Sequence, residues 1–370
     1  MFAALCLTLL LTSAPVAPSH RAVRSHGLGS VSTLAPWLSS PAAFRDPKNQ
    51  PAITRSLEAL AHLAHPFFRE PGTSSTDVGE LFANQAARAQ ADFAAGNTES
   101  ARFRVQALTQ LCLGCHLREP SRDFVDVTRA ADKLHLPPLQ QAQYYATTRQ
   151  FDLALAVWKS ELVRPVTLES EQFEQLEALR MALRVAVRVK DNAQLVQQLI
   201  APQLERSALP GFALRELQAW QASAVAWQAE HFVLSERTPT ALVVRAKALV
   251  EETGAATNAN SQPQDFLSLL RAASYLDEAM RQDPEGPFRA EALYLLGVVH
   301  ASISSSPLWQ LEWMYFEACI RENPDTAIAT RCGERLKERT WFIWRTGADM
   351  PVATQGALKE LLTLAKVPSN

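Results

Sequence analysis

Two cysteines and a histidine in this chain are spaced for one kind of chemistry. The run Leu111-Cys112-Leu113-Gly114-Cys115-His116 contains C-x-x-C-H, the pattern through which haem is attached covalently. Two thiols add across the two haem vinyl groups as thioethers, and the adjacent imidazole ligates the iron from the proximal side. On an α-helix Cys115 and His116 follow Cys112 by three and four places, so all three project from one face. The same thiols would also serve as half of a zinc site, which needs two further ligands, or as a thiol redox pair, which belongs in a β-α-β context. The reading favoured here is a single covalent haem c, with His116 as the iron ligand.

Such a motif needs a helix to carry it. Asn97 or Thr98 can cap a helix running to about Leu117, after a Gly96 that closes the preceding one. Along it Ala101, Val105, Leu108, Cys112 and Cys115 recur at spacings of four, three, four and three, with Arg102, Arg104, Gln106 and Gln110 facing elsewhere. The haem cysteines therefore continue a buried stripe. Two earlier segments have the same habit: Pro51 to about Arg69, with Ile53, Leu57, Leu60, Ala64 and Phe67, and Asp77 to Ala95, with Val78, Leu81, Phe82, Ala89 and Phe93. Residues 50–125 are thus expected to form a small antiparallel haem-binding bundle.

In this region the chain resembles the class II c-type cytochromes, the cytochrome c-prime group. The resemblance is carried by the order Phe67-Phe68-Arg69-Glu70-Pro71-Gly72-Thr73, a helix, Ala94-Ala95-Gly96-Asn97, and a last helix closing on Cys112-Leu113-Gly114-Cys115-His116. It implies a four-helix bundle, Cys112 and Cys115 as thioether anchors and His116 as axial ligand. It also implies a basic residue near a haem propionate, a place that Arg118 or Arg122 can fill. One departure stands out. Low-spin members of the group take a Met from the first helix as sixth ligand, and this chain has no Met between Met1 and Met181. His62 and His65 are the substitutes at hand, yet helical projection places both on the solvent side. Pro66 can end or kink the helix and re-aim His65, which stays the candidate sixth ligand. Without it the iron is five-coordinate with an apolar distal side, which suits gas binding as well as electron transfer. His20, His26 and His135 are read as unstructured or surface residues.

The whole chain has 370 residues, 47% apolar and 20% charged, with 13 glycines against 22 prolines. That is enough to bury real cores, and alternating Val/Ile/Thr runs are nearly lacking, so the expectation is an all-α protein. A formal charge of -2 offers no basic field for nucleic acid or an anionic membrane. The apolar run Phe2 to Leu10 is too short to span a bilayer and fits the core of a secretory signal over residues 1–19, with Ala17 and Ser19 before the cleavage point. Its leading residues lack Lys and Arg, and Cys6 would leave with it. Export to the periplasm also agrees with c-type haem attachment. Residues 20–49, rich in Ser, Pro and Ala, read as a linker or loosely ordered lead-in.

From residue 126 to 370 helical periodicity continues with traces of a repeat. Ala142, Tyr145, Ala154, Trp158 and Pro165 fall close to tetratricopeptide spacing, as do Ala272, Leu276, Ala279 and Pro284. Leu293, Gly297, Phe316, Cys319 and Pro324 follow it with a few inserted residues, whereas Glu169 to Glu230 match poorly. The stretch resembles a degenerate tetratricopeptide array, an α-solenoid of helical hairpins whose concave surface would hold a peptide or a partner protein. The tryptophans from Trp158 to Trp344 are read mostly as core. Cys319 and Cys332 flank the turn Asn323-Pro324-Asp325 and would pair in an oxidising compartment, or else stay as two buried thiols. Glu251 to Gln264 reads as a polar loop.

Phosphate-cradling glycine loops, G-x-S-x-G, H-E-x-x-H and calcium-loop patterns are lacking, which disfavours catalysis by side chains alone and leaves peroxidase-like activity of the iron open. The expectation is an exported mono-haem electron carrier that meets a periplasmic redox partner, with a helical array for docking. A haem-based binder or sensor of NO or CO, and a periplasmic helical scaffold without haem, are the alternatives.

Overall fold

A computed structural model describes residues 34, 37–38, 41–67, 76–102, 104–105, 108, 136–147, 150–165, 168–205, 211–230, 237–255, 265–303, 311–344 and 352–368. All regular structure among the described residues is helical. The expected signal segment at 1–19 and the motif at 112–116 lie outside them.

The N-terminal part comprises α1 (Pro41–Arg45), α2 (Gln50–Phe67) and α3 (Thr76–Ala94), followed by helical residues within 98–108. Helix α2 packs along α3. Ile53, Leu57 and Leu60, one turn apart on α2, are buried with Ala86 and Ala89 of α3 and with Ala101, Val105 and Leu108. Gly96 adopts φ +81 and ends α3: its N–H donates to Phe93 O at 3.0 Å, while Asn97 N–H donates to Asp92 O at 2.8 Å. This is the αL termination that glycine supplies without a Cβ penalty. The segment from Leu34 onward departs from the loosely ordered lead-in expected over 20–49. Leu34, Leu38 and Phe44 are buried in the bundle core, and Phe44 meets Phe93 edge to face at 5.5 Å. Alternating small and polar residues hide these few large side chains in the sequence, yet each supplies enough apolar area to pin the strap down.

Among the described residues eleven further helices follow: α4 (Pro138–Thr147), α5 (Phe151–Val163), α6 (Glu169–Arg188), α7 (Ala193–Leu204), α8 (Gly211–Glu230), α9 (Pro239–Glu252), α10 (Phe266–Gln282), α11 (Arg289–Ile303), α12 (Leu311–Glu322), α13 (Ala327–Trp344) and α14 (Val352–Leu364). Asn192, Thr238 and Asp265 cap α7, α9 and α10, each side chain accepting a backbone N–H three residues on. Neighbours pair as hairpins: α4 with α5, α7 with α8, α9 with α10, α11 with α12 and α13 with α14. The small residues of the repeat spacing lie at these contacts, Ala142, Ala154, Ala272 and Ala279 being fully buried. An added Cβ at Gly297 of α11 would run into the Phe316 ring of α12, so helix approach explains that glycine. Other contacts skip the order: α6 lies against α10, α8 against α10, α11 against α13 and α12 against α14. Most described tryptophans are core, with Trp158, Trp220, Trp227 and Trp313 buried, but Trp341 is 62% exposed.

Candidate functional site

The helical residues within 98–108 are held at their start and along one flank. Its start is fixed by the Gly96 turn and by Ala101 N–H donating to Asn97 O at 3.0 Å. Its flank is fixed by Arg104, whose Nε donates to Asp92 at 2.6 Å and whose Nη1 donates to Gln85 at 2.9 Å, both on α3. Arg102, expected to face away from the core, is buried: Nη1 donates to the Leu38 carbonyl at 2.8 Å and Nε to Glu99 at 3.2 Å. A guanidinium can lie on a buried face when its donors are met, and here they tie the N-terminal strap to the helix.

Ala101, Val105 and Leu108 are buried at helical spacing. Of the residues proposed to hold or contact a haem, Cys112, Cys115, His116, Arg118 and Arg122 lie outside the described residues, as do His20, His26 and His135. His65 lies within α2, but its side chain is outside the described set. His62 is exposed. Near the described residues 98–108 the core is apolar, built from Leu34, Phe44, Ile53, Leu57, Leu60, Val105 and Leu108.

Sequence reading placed every methionine after Met1 in the other part of the chain. Met314 of α12, 2% exposed, nevertheless packs in the bundle core together with Leu311. The two are three residues apart on one helical face, and Arg88 of α3 approaches Glu317 on the next turn at 3.9 Å. The signal in the sequence was slight: α12 is apolar on more than one side, with Trp313, Tyr315 and Phe316 also buried.

Helix α12 is in turn held to α13. Cys319 and Cys332, both fully buried, are bonded with S–S 1.99 Å and Cα–Cα 6.4 Å across the turn at Asn323. Asn323 Nδ2 donates to Cys319 O at 3.0 Å, and Thr326 Oγ1 accepts from Ala329 N–H at 3.3 Å to start α13. Glu312, next to Leu311, is buried and accepts from Arg339 Nε at 3.1 Å. Burial pushes its carboxyl up to about 7, against the pull of Arg339.

No group of three His, Cys, Asp or Glu side chains among the described residues is placed to hold a metal ion. No described helix is long and apolar enough to cross a membrane. Comparison with protein-family models, curated proteins and solved structures returned no match.

Proposed function

We propose that the chain is an exported mono-haem c-type cytochrome, an electron carrier whose helical-hairpin region docks a periplasmic redox partner. The observation that carries the reading is the register of Ala101, Val105 and Leu108: a buried stripe that continues, at helical spacing, onto Cys112 and Cys115. In this reading the two thiols anchor the group as thioethers, His116 ligates the iron and Arg118 or Arg122 neutralises a propionate. The haem supplies one-electron exchange at iron. The chain supplies an apolar core that excludes water and fixes the group against a rigid helix. Arg102 and Arg104 keep that helix against α3 and the Leu38 strap, which limits reorganisation around the site.

In a host with c-type maturation, haem staining of the denatured full chain should persist, and Cys112→Ala or Cys115→Ala should weaken or abolish it. Unstained wild-type protein would overturn the haem reading. CO added to the reduced protein separates a plain carrier, with no Soret shift, from a gas binder with an open sixth position.

A further inference from the structure

Helix α12 is shared between two cores. Leu311 and Met314 of its first turn are buried with the N-terminal helices, whereas Trp313, Tyr315, Phe316 and Cys319 are buried in the core of the later helices. Glu312 sits in that first turn, 1% exposed, between the two residues that reach the N-terminal core. One of its carboxyl oxygens accepts from Arg339 Nε at 3.1 Å, and the other, Oε2, is buried without a hydrogen-bond partner. The other charged groups on the surrounding elements are directed to different partners. Arg335, one turn before Arg339 on α13, pairs with Glu338, and Arg289 of α11 pairs with Glu322 at the far end of α12. His300 of α11 stacks on Tyr315 and is held neutral, chiefly by burial. Arg88 of α3 approaches Glu317, Glu360 of α14 pairs with Arg321, and Arg102 and Arg104 are tied to Glu99 and Asp92.

An ionised carboxylate at this place keeps one charged oxygen away from both donors and water, which is costly. The cheapest relief is local. A first turn opens more readily than a helix interior, and beyond it α12 is fixed by the Cys319–Cys332 bond and by Phe316 seated against Gly297. Once the turn is in water, a negative charge there is also favoured by the free N–H groups of the helix start. Leu311 and Met314 flank Glu312 and must move with it. We propose that Glu312 is a proton-operated latch between the two regions: protonated, it leaves the first turn of α12 docked in the N-terminal core, and ionised, it draws that turn into water and withdraws Leu311 and Met314. The docked carboxyl is raised by burial to about 7, and the undocked one returns to an ordinary 4.5. The docked form therefore holds the extra proton, so undocking becomes easier as pH rises between these values and levels off above them.

The test is amide hydrogen exchange of the full-length protein, read by mass spectrometry at pH 5 and pH 8 with exchange times scaled for the chemical rate, in a series of low urea concentrations. The latch predicts that the first turn of α12 loses protection by about tenfold or more at pH 8. That opening should depend little on urea, because a single turn exposes little surface, whereas amides of α10 that open by global unfolding show the full urea slope. Glu312→Gln cannot ionise, so its first turn should be equally protected at both pH values. Should that variant fail to fold, the wild-type comparison and its urea slope decide alone. Unchanged protection of the turn in the wild type, opening only with the global urea slope, or the same pH-dependent loss in folded Glu312→Gln would overturn the latch.

Discussion

Met314 of α12 and Leu108, from the stretch that follows α3, are buried in the same apolar core. A residue of the C-terminal helical region thus helps to form the apolar core of the N-terminal helices, and the two regions share stabilisation energy. Met314→Ala removes a buried thioether side chain and should cost about 2–5 kcal/mol. Urea unfolding followed by far-UV circular dichroism and by Soret absorbance should both move to lower midpoints. A Soret transition that stayed in place would mean that the two regions unfold independently.

The Cys319–Cys332 bond closes a loop of sequence separation 13, for which chain entropy gives about 3 kcal/mol. Alkylation of the denatured protein should label neither cysteine before reduction and both after it. Replacing both by Ala should lower the melting temperature. Labelling without reduction would show two free thiols.

Glu312 makes stability depend on pH in a definite direction. Its native carboxyl sits at about 7 against an ordinary 4.5, so between those values the native state holds a proton that the unfolded chain has lost. Stability therefore falls as pH rises through that window, by at most about 3 kcal/mol, and levels off above it. Glu312→Gln keeps an acceptor for Arg339 and should flatten this fall. Urea midpoints at pH 5 and pH 8 check it, and parallel pH curves for the two proteins would contradict it.

Gly297 tests how closely α11 and α12 approach. The Cβ of Gly297→Ala would overlap the Phe316 ring, and overpacking of this kind costs about 1–3 kcal/mol, partly offset by the better helix propensity of Ala. A lower thermal midpoint is expected. A rise would show that the ring moves aside freely.

Elements governed by local periodicity were the most legible. The stripe of Ile53, Leu57 and Leu60 placed α2 over Pro51 to about Arg69 and the structure has Gln50–Phe67; the second segment, Asp77 to Ala95, became Thr76–Ala94. Gly96 and the small residues Ala142, Ala154, Ala272 and Ala279 were readable because a left-handed turn and close helix approach each demand a particular residue type. Long-range partners were not. Apolar spacing tells that Leu311 and Met314 face a core, and says nothing about which one. The roles of Arg102, which is buried, and of the part-buried Arg184 and Arg188 were hidden for the same reason, since a charged residue reads as solvated until its carbonyl or carboxylate partner, tens of residues away, is seen. The helices α2 and α3 were legible; the contribution of α12 to their core was not.

The measurement that bears most directly on the central claim is the pyridine haemochrome spectrum of the full-length protein from a periplasmic extract of a host carrying c-type maturation genes, with its intact mass. The account predicts a c-type spectrum at one haem per chain and a mass raised by one haem that survives denaturation. A chain of unmodified mass, without a haemochrome signal, would contradict it and leave the helical scaffold as the reading.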